Sequence, residues 1–160
     1  MDSVFISHRT TDDALASYIA SLLAQMGIKT YQDHLDVAAQ STADITKLII
    51  GKIEQCSHLL ALITPNTQGS WWVPFEIGVG QHAARRICTF ASSGVTLPEY
   101  LNNWPVLRGN RDLQTFVTLF KSDSSRTILR ESYSMTTREI EVQRQDADIF
   151  HLKLRKALMA

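Results

Sequence analysis

Cysteine is scarce in this chain of 160 residues: Cys56 and Cys88 are the only two, and their separation matches no zinc-ligand spacing. That points away from a disulfide or metal scaffold and toward two buried, reduced thiols, the usual state in a cytoplasm. Charge of a single sign is also missing. The 16 basic and 16 acidic residues cancel, leaving no electrostatic footprint for nucleic acid. Long apolar runs are absent too. The longest, Leu59 to Ile63, falls far short of the roughly 20 residues that span a bilayer. Met1-Asp2-Ser3 is acidic and leads straight into a strand-like run, so no signal peptide is expected. Internal repeats and low-complexity segments are lacking as well. What is present, 44% hydrophobic and 20% charged residues, is the make-up of one ordinary globular domain with a sizeable core.

Strand-like and helix-like patterns alternate along the chain. Val4-Phe5-Ile6 reads as a short buried strand that opens into polar Ser7-His8-Arg9. Thr10 or Thr11 is placed to cap a helix whose stripe is Leu15, Tyr18, Ile19, Leu22, Leu23 and Met26, with Gly27 as its stop. Ile28 to Tyr31 gives a second strand. A polar loop over about Asp36 to Ser41 follows, then a helix near Thr42 that buries Ile45, Leu48, Ile49, Ile53 and Cys56. His58 to Thr64 is nearly continuous in apolar residues, as a central parallel strand is. Ile87 to Phe90 is a fourth strand, Trp104 to Leu107 a weak edge strand that tolerates Pro105, and Asp112 to Phe120 a further helix. This order predicts an α/β fold with a parallel sheet covered by helices on both faces. Ligands bind such sheets at the carboxyl ends of the strands. That edge gathers Ser7, His8 and Arg9, then Asp33, then the Thr64–Gly69 loop. After Lys121 the alternation ends: a helix is expected near Asp146–Leu158, and Thr136 with Glu139 has the spacing of an earlier capping box.

One stretch stands out, Ser70-Trp71-Trp72-Val73-Pro74-Phe75-Glu76-Ile77-Gly78-Val79-Gly80. Pro74 suits a first helical turn. Glu76 follows Trp72 by four positions, so indole and carboxylate share a helix face. An aromatic wall beside a carboxylate can hold a planar, positively charged ring. The plainer reading is a solvated glutamate favoured by the helix dipole and a core tryptophan. Both readings stand on this stretch alone. Gly78 and Gly80 leave room for a close neighbour.

Taken in order, Val4-Phe5-Ile6-Ser7-His8, Tyr31-Gln32-Asp33, Leu59 to Pro65 and Ser70-x-Trp72-x-x-x-Glu76 resemble a Toll/interleukin-1 receptor (TIR) domain of the bacterial kind. The resemblance covers about residues 3–120, and the Trp-x-x-x-Glu element is its most specific part. It implies a flavodoxin-like fold with five parallel strands over residues 1–121. Residues 122–160 would then be a C-terminal, partly helical extension. It also implies an assembly loop at about His34–Ala43, although Asp36-Val37-Ala38-Ala39-Gln40 lacks the proline or glycine common there in the family.

Many members of the family cleave NAD⁺ between nicotinamide and ribose, with the motif's glutamate, here Glu76, as the key residue. A single carboxylate suits that reaction. Glycosidases ordinarily need a second, to protonate an alkoxide leaving group, whereas nicotinamide leaves a pyridinium as a neutral molecule. Trp72 is the candidate to stack the nicotinamide or wall the ribose, ahead of Trp71. Ser7, His8 and Arg9 fall where the family contacts the dinucleotide. Arg9 is either a phosphate-binding fork or a solvated loop charge, and His8 either stacks on the ligand or is structural. Asp33 either holds the loop or contacts ribose, and Ser70 is read as a helix cap. His34, His58, His82 and His151 show no ligand spacing, so no metal is expected, and no cofactor beyond NAD⁺ as substrate.

The expectation that follows is a cytoplasmic NAD⁺ nucleosidase or ADP-ribosyl cyclase of antiphage defence. The chain is expected to have no room for a fused sensor, so it resembles the stand-alone TIR proteins of Thoeris systems. Those make a cyclic ADP-ribose product for a separate effector protein. TIR–TIR contacts imply a homo-oligomer. The alternatives are a non-catalytic TIR adaptor, which has no need of Trp72 with Glu76, and a nucleoside-processing transferase, against which the ordered strand exits argue.

Overall fold

The computed structural model describes residues 2–32, 42–123 and 136–160. Asp33 and the loop over residues 34–41 lie outside them. The strands β1 (Ser3–Ser7), β2 (Lys29–Gln32), β3 (His58–Ile63), β4 (Arg86–Ala91) and β5 (Val106–Leu107) form one sheet in the order β2-β1-β3-β4-β5. Every neighbouring pair is parallel. The chain goes outward from β1 to β2 and then returns to the other side of β1 for β3. The reversal of strand order therefore falls between β1 and β3, the place where such sheets open a ligand crevice at their carboxyl ends.

Alternation of side chains along each strand sorts the core into two layers. Val4, Ile6, Leu60, Leu62, Cys88 and Phe90 face one side, where α1 (Asp13–Gln25), α4 (Asn110–Asp123) and α5 (Thr137–Met159) pack. Phe5, Leu59, Ala61, Ile63 and Ile87 face the other, against α2 (Thr42–Gln55), α3 (Trp72–His82) and the short helical turn Glu99–Asn103. β3 is buried at all positions, so its sequence shows no polar alternation. Gly27, at φ +80°, ends α1: its N–H reaches Ala24 O and the Ile28 N–H reaches Leu23 O. Gly80 is where α3 comes closest to the sheet, since a Cβ there would lie 2.9 Å from Leu59 Cδ1. Gly78 has no such neighbour.

Two expectations shift. The threonines at 10 and 11 do not cap α1. They belong to a helical turn, Thr10–Asp12, with Asp12 at the α1 N-cap position and its side chain engaged elsewhere. The last helix begins at Thr137 rather than near Asp146, because Thr136 and Glu139 close a reciprocal capping box. Its inner face joins the core through Phe150 and Leu154, and His151 Nε2 accepts the Ile87 N–H at 2.8 Å. The helix thus packs on this domain's own sheet.

At the amino ends of β3 and β4 lies a buried polar cluster. Arg86 Nε is 2.6 Å from Asp123 Oδ2, and His58 Nε2 is 3.4 Å from the same oxygen. The His58 ring sits among Phe116, Phe120 and Phe150. Burial pushes His58 down to about 4 and His151, likewise by burial, to about 4, so both are neutral at pH 7. Burial works against ionisation of Asp123, yet the His58 hydrogen bond and the Arg86 charge hold its carboxyl below the usual range.

Candidate active site

The N-terminal turn of α3 is built by Ser70, whose Oγ accepts the Val73 N–H at 3.4 Å, and by Pro74, tolerated because first-turn amides have no helical acceptor. From there the buried positions are Val73, Glu76, Ile77 and Gly80. This is a helical stripe facing the sheet, and an apolar residue is the rule at each of its places. Glu76 breaks the rule. It is 2% exposed, and a carboxylate is rarely buried without a reason beyond packing.

Its partner comes from the far end of the sequence. Ser7, the last residue of β1 and fully buried, donates its hydroxyl to Glu76 Oε2. The structure therefore brings Ser7 and Glu76 together at the carboxyl end of β1, beside the reversal of strand order. Trp72 stands one turn before Glu76 at the margin of the same face, 38% exposed, with its ring edge-on to Phe75 at 5.7 Å. Trp71 is almost wholly in solvent.

The other candidates are placed differently. His8 is buried, with Nε2 2.6 Å from Asp13 Oδ1 and Nδ1 3.3 Å from Ile6 O. Both ring nitrogens are thereby tied to the protein, which favours the structural side of its two readings. Arg9 is exposed and donates from Nη1 to Asn66 O (2.6 Å) and Gln68 O (3.3 Å), so it fastens the β1 exit to the β3 exit. Asp33 lies outside the described residues.

A residue without a sequence signal of its own does the same fastening. Asp12, buried, accepts the Thr64 hydroxyl at 2.7 Å and the Asn66 amide at 2.9 Å. Nothing in its local pattern distinguishes it from an ordinary first-turn aspartate.

A cavity of about 640 Å³ lies on the opposite flank of α3, between the β3 exit and residues 94–101. Val73, Pro74, Val95, Leu97 and Tyr100 help line it, and no charged side chain does. It touches neither Ser7 nor Glu76 nor Trp72. Burial raises the pKa of both Cys56 and Cys88, so neither thiol is a ready nucleophile. Among the described residues no group of three acidic, histidine or cysteine side chains is arranged to hold a metal ion. No described helix is long and apolar enough to cross a membrane.

Fold and site together define a doubly wound α/β domain with a buried glutamate at the carboxyl edge of its sheet. The family model for the TIR domain matches residues 4–128, and the chain belongs to that family. Among solved structures, the TIR domain of the Toll-related receptor TRR-2 from Hydra magnipapillata shares 16% identity at a TM-score of 0.56. That match covers 79% of this chain and 97% of the other, a likeness of fold. The TIR domains of the activated Roq1 resistosome, which recognises the pathogen effector XopQ, match at 12% identity and TM-score 0.42, over 100% of this chain and 85% of theirs. A diflavin flavoprotein A3 from Nostoc sp. matches at 9% identity and 0.44, over 99% and 97%. No curated protein sequence matches the chain.

Proposed function

We propose that this TIR domain cleaves NAD⁺ at the bond between nicotinamide and ribose, with Glu76 as the catalytic carboxylate. The observation that carries the reading is Glu76 itself, an acid on the core-facing stripe of α3, oriented by the Ser7 hydroxyl at the carboxyl end of β1. When the C1′–N bond breaks, its electron pair stays on the pyridine nitrogen and nicotinamide leaves neutral. Positive charge develops on the ribose, and a fixed carboxylate in a site that excludes water stabilises it strongly. Trp72 walls the ring. Ser7 positions the carboxylate, Arg9 offers its fork to the pyrophosphate from the rim, Asp33 is a further candidate contact, and His8, tied at both ring nitrogens, can offer the ligand only its ring face.

In this reading the ribose carbon is captured within the same molecule, by an adenine nitrogen or a ribose hydroxyl. The product is a cyclic ADP-ribose isomer, which signals to a separate effector in the cytoplasm during antiphage defence. A folded dinucleotide held in place gives that internal nucleophile a high effective concentration against water. Assembly of several TIR domains closes the site. NAD⁺ is the substrate, and no further cofactor, metal, nucleic acid or membrane takes part.

A second reading, a non-catalytic adaptor, is favoured by one feature: Trp71, Trp72 and Phe75 form an exposed aromatic group suited to a protein partner. Incubation with NAD⁺ separates the two. The proposal expects free nicotinamide from the wild-type chain, and by mass spectrometry a product lighter than linear ADP-ribose by one water. Absence of nicotinamide release at high protein concentration favours the adaptor. Linear ADP-ribose alone replaces cyclisation with hydrolysis.

A further inference from the structure

Helix α5 has two faces, and the fold uses one of them. Ala147, Phe150, His151 and Leu154 are turned into the domain. On the opposite side Val142 (49% exposed), Ile149 (47%), Leu152 (57%) and Met159 (88%) stand in solvent. With Gln145 and Lys156 these residues follow the 3-4 spacing of a coiled-coil seam: 142, 145, 149, 152, 156, 159. The seam is apolar at its two ends and its middle, with a polar residue between.

Charge along the helix selects the occupant. Residues 137–148 carry Glu139, Glu141, Asp146 and Asp148 against Arg138 and Arg144, while residues 149–160 carry Lys153, Arg155 and Lys156 and no acid. The helix dipole rewards such polarity only in the first and last turns. Asp146, Asp148, Lys153 and Arg155 lie in the interior of a helix that runs Thr137–Met159, so the dipole does not account for them.

We infer that the outer face of α5 pairs with α5 of a second copy of this chain, antiparallel about a two-fold axis between Phe150 and His151. Packing seam residues against seam residues in that sense sets Val142 on Met159 of the other copy, Gln145 on Lys156 and Ile149 on Leu152. The flanks then meet as opposites, each twice by symmetry: Asp146 with Lys153 on one side, and on the other Asp148 with Arg155, whose Nη2 also donates to Asn102 O of its own domain at 2.8 Å. A parallel pair keeps only Asp148 against Lys153 and sets Glu141 against Asp146, acid on acid. The apolar layers give the affinity, the Gln145–Lys156 layers fix the register, and the charges fix the direction. The pairing surface is remote from Glu76, so the inference stands independently of the activity proposed above.

The test uses the chain as it is. Sedimentation equilibrium is expected to show a monomer–dimer equilibrium in the micromolar range, as suits one short helix pair. Ile149→Glu with Leu152→Glu, both at exposed positions, raises the dimer dissociation constant by about a hundredfold or more. Circular dichroism and melting then show that the variant keeps its fold. Asp146→Lys with Asp148→Arg, and separately Lys153→Asp with Arg155→Asp, each weaken self-pairing, and mixing the two variants restores a dimer. Direction is read by oxidative cross-linking, since the native thiols are buried. Val142→Cys mixed with Met159→Cys forms a disulfide, and Val142→Cys alone does not. A monomer at every concentration up to the millimolar range overturns the inference. So does a dimer indifferent to Ile149→Glu and Leu152→Glu, or one in which Val142→Cys cross-links to itself.

Discussion

The two ends of the sheet both bury ionisable groups, in opposite manners. At the amino end Asp123 faces Arg86, a full opposite charge at 2.6 Å, within a wall of phenylalanines that also encloses His58. At the carboxyl end Glu76 is met by the hydroxyl of Ser7, with the exposed indole of Trp72 one turn away on the same helix. The first arrangement ties β3, β4 and the end of α4 into one unit, and removing either charge exposes the other to an apolar interior. The second puts an acid where an apolar side chain packs better. The first pair sits at the amino ends of the strands and serves architecture; the second group lies at the carboxyl ends, where sheets of this kind bind ligands.

That contrast is open to test. The largest stability loss is expected from Asp123→Ala, which strands Arg86 in the core: about 3–5 kcal/mol, read as a lowered urea midpoint. Activity per folded molecule stays unchanged. Acidification comes next. The folded pKa values of His58 and His151 are lowered from the ordinary 6.5 to about 4. The unfolded chain thus binds protons first as pH falls, and stability drops from about pH 6.5 toward pH 4. Each histidine takes away on the order of 3 kcal/mol by linkage across that window. Urea midpoints across that range should fall, and His58→Gln should flatten the curve. Ser7→Ala removes the bond that orients Glu76 and should slow nicotinamide release by roughly tenfold to a hundredfold, with a smaller effect on melting. Gly80→Ala is expected to cost about 1 kcal/mol, as crowding against Leu59 outweighs the helix preference of alanine. It leaves the activity intact.

Much of this was legible in the sequence, for physical reasons. Unbroken apolar β3 and the clear stripe of α1 follow from burial on two faces and on one. The alternation of strands and helices gives the parallel sheet, and the ordered motifs give the family. Glu76 was found through its spacing from Trp72. Its depth was not, because a glutamate early in a helix is ordinarily solvated and Ser7, which bonds it, lies at the end of β1. Asp12 escaped for the same reason: its contacts with Thr64 and Asn66 are made across 52 and 54 positions. The start of α5 was written in Thr136 and Glu139, yet the first half of that helix has few core residues and so shows weak periodicity. Where it packs depends on β4 and α4, which no local pattern names.

If Glu76 is the catalytic carboxylate proposed above, its burial serves chemistry rather than stability. Glu76→Gln keeps the size and an oxygen acceptor for Ser7 while removing the charge. Nicotinamide release from NAD⁺ by this variant and by the wild type, at equal concentrations of folded protein, is the direct measurement. Release is expected to fall by about a thousandfold, with a melting temperature equal to or above that of the wild type. Undiminished release from a well-folded Glu76→Gln protein would contradict it.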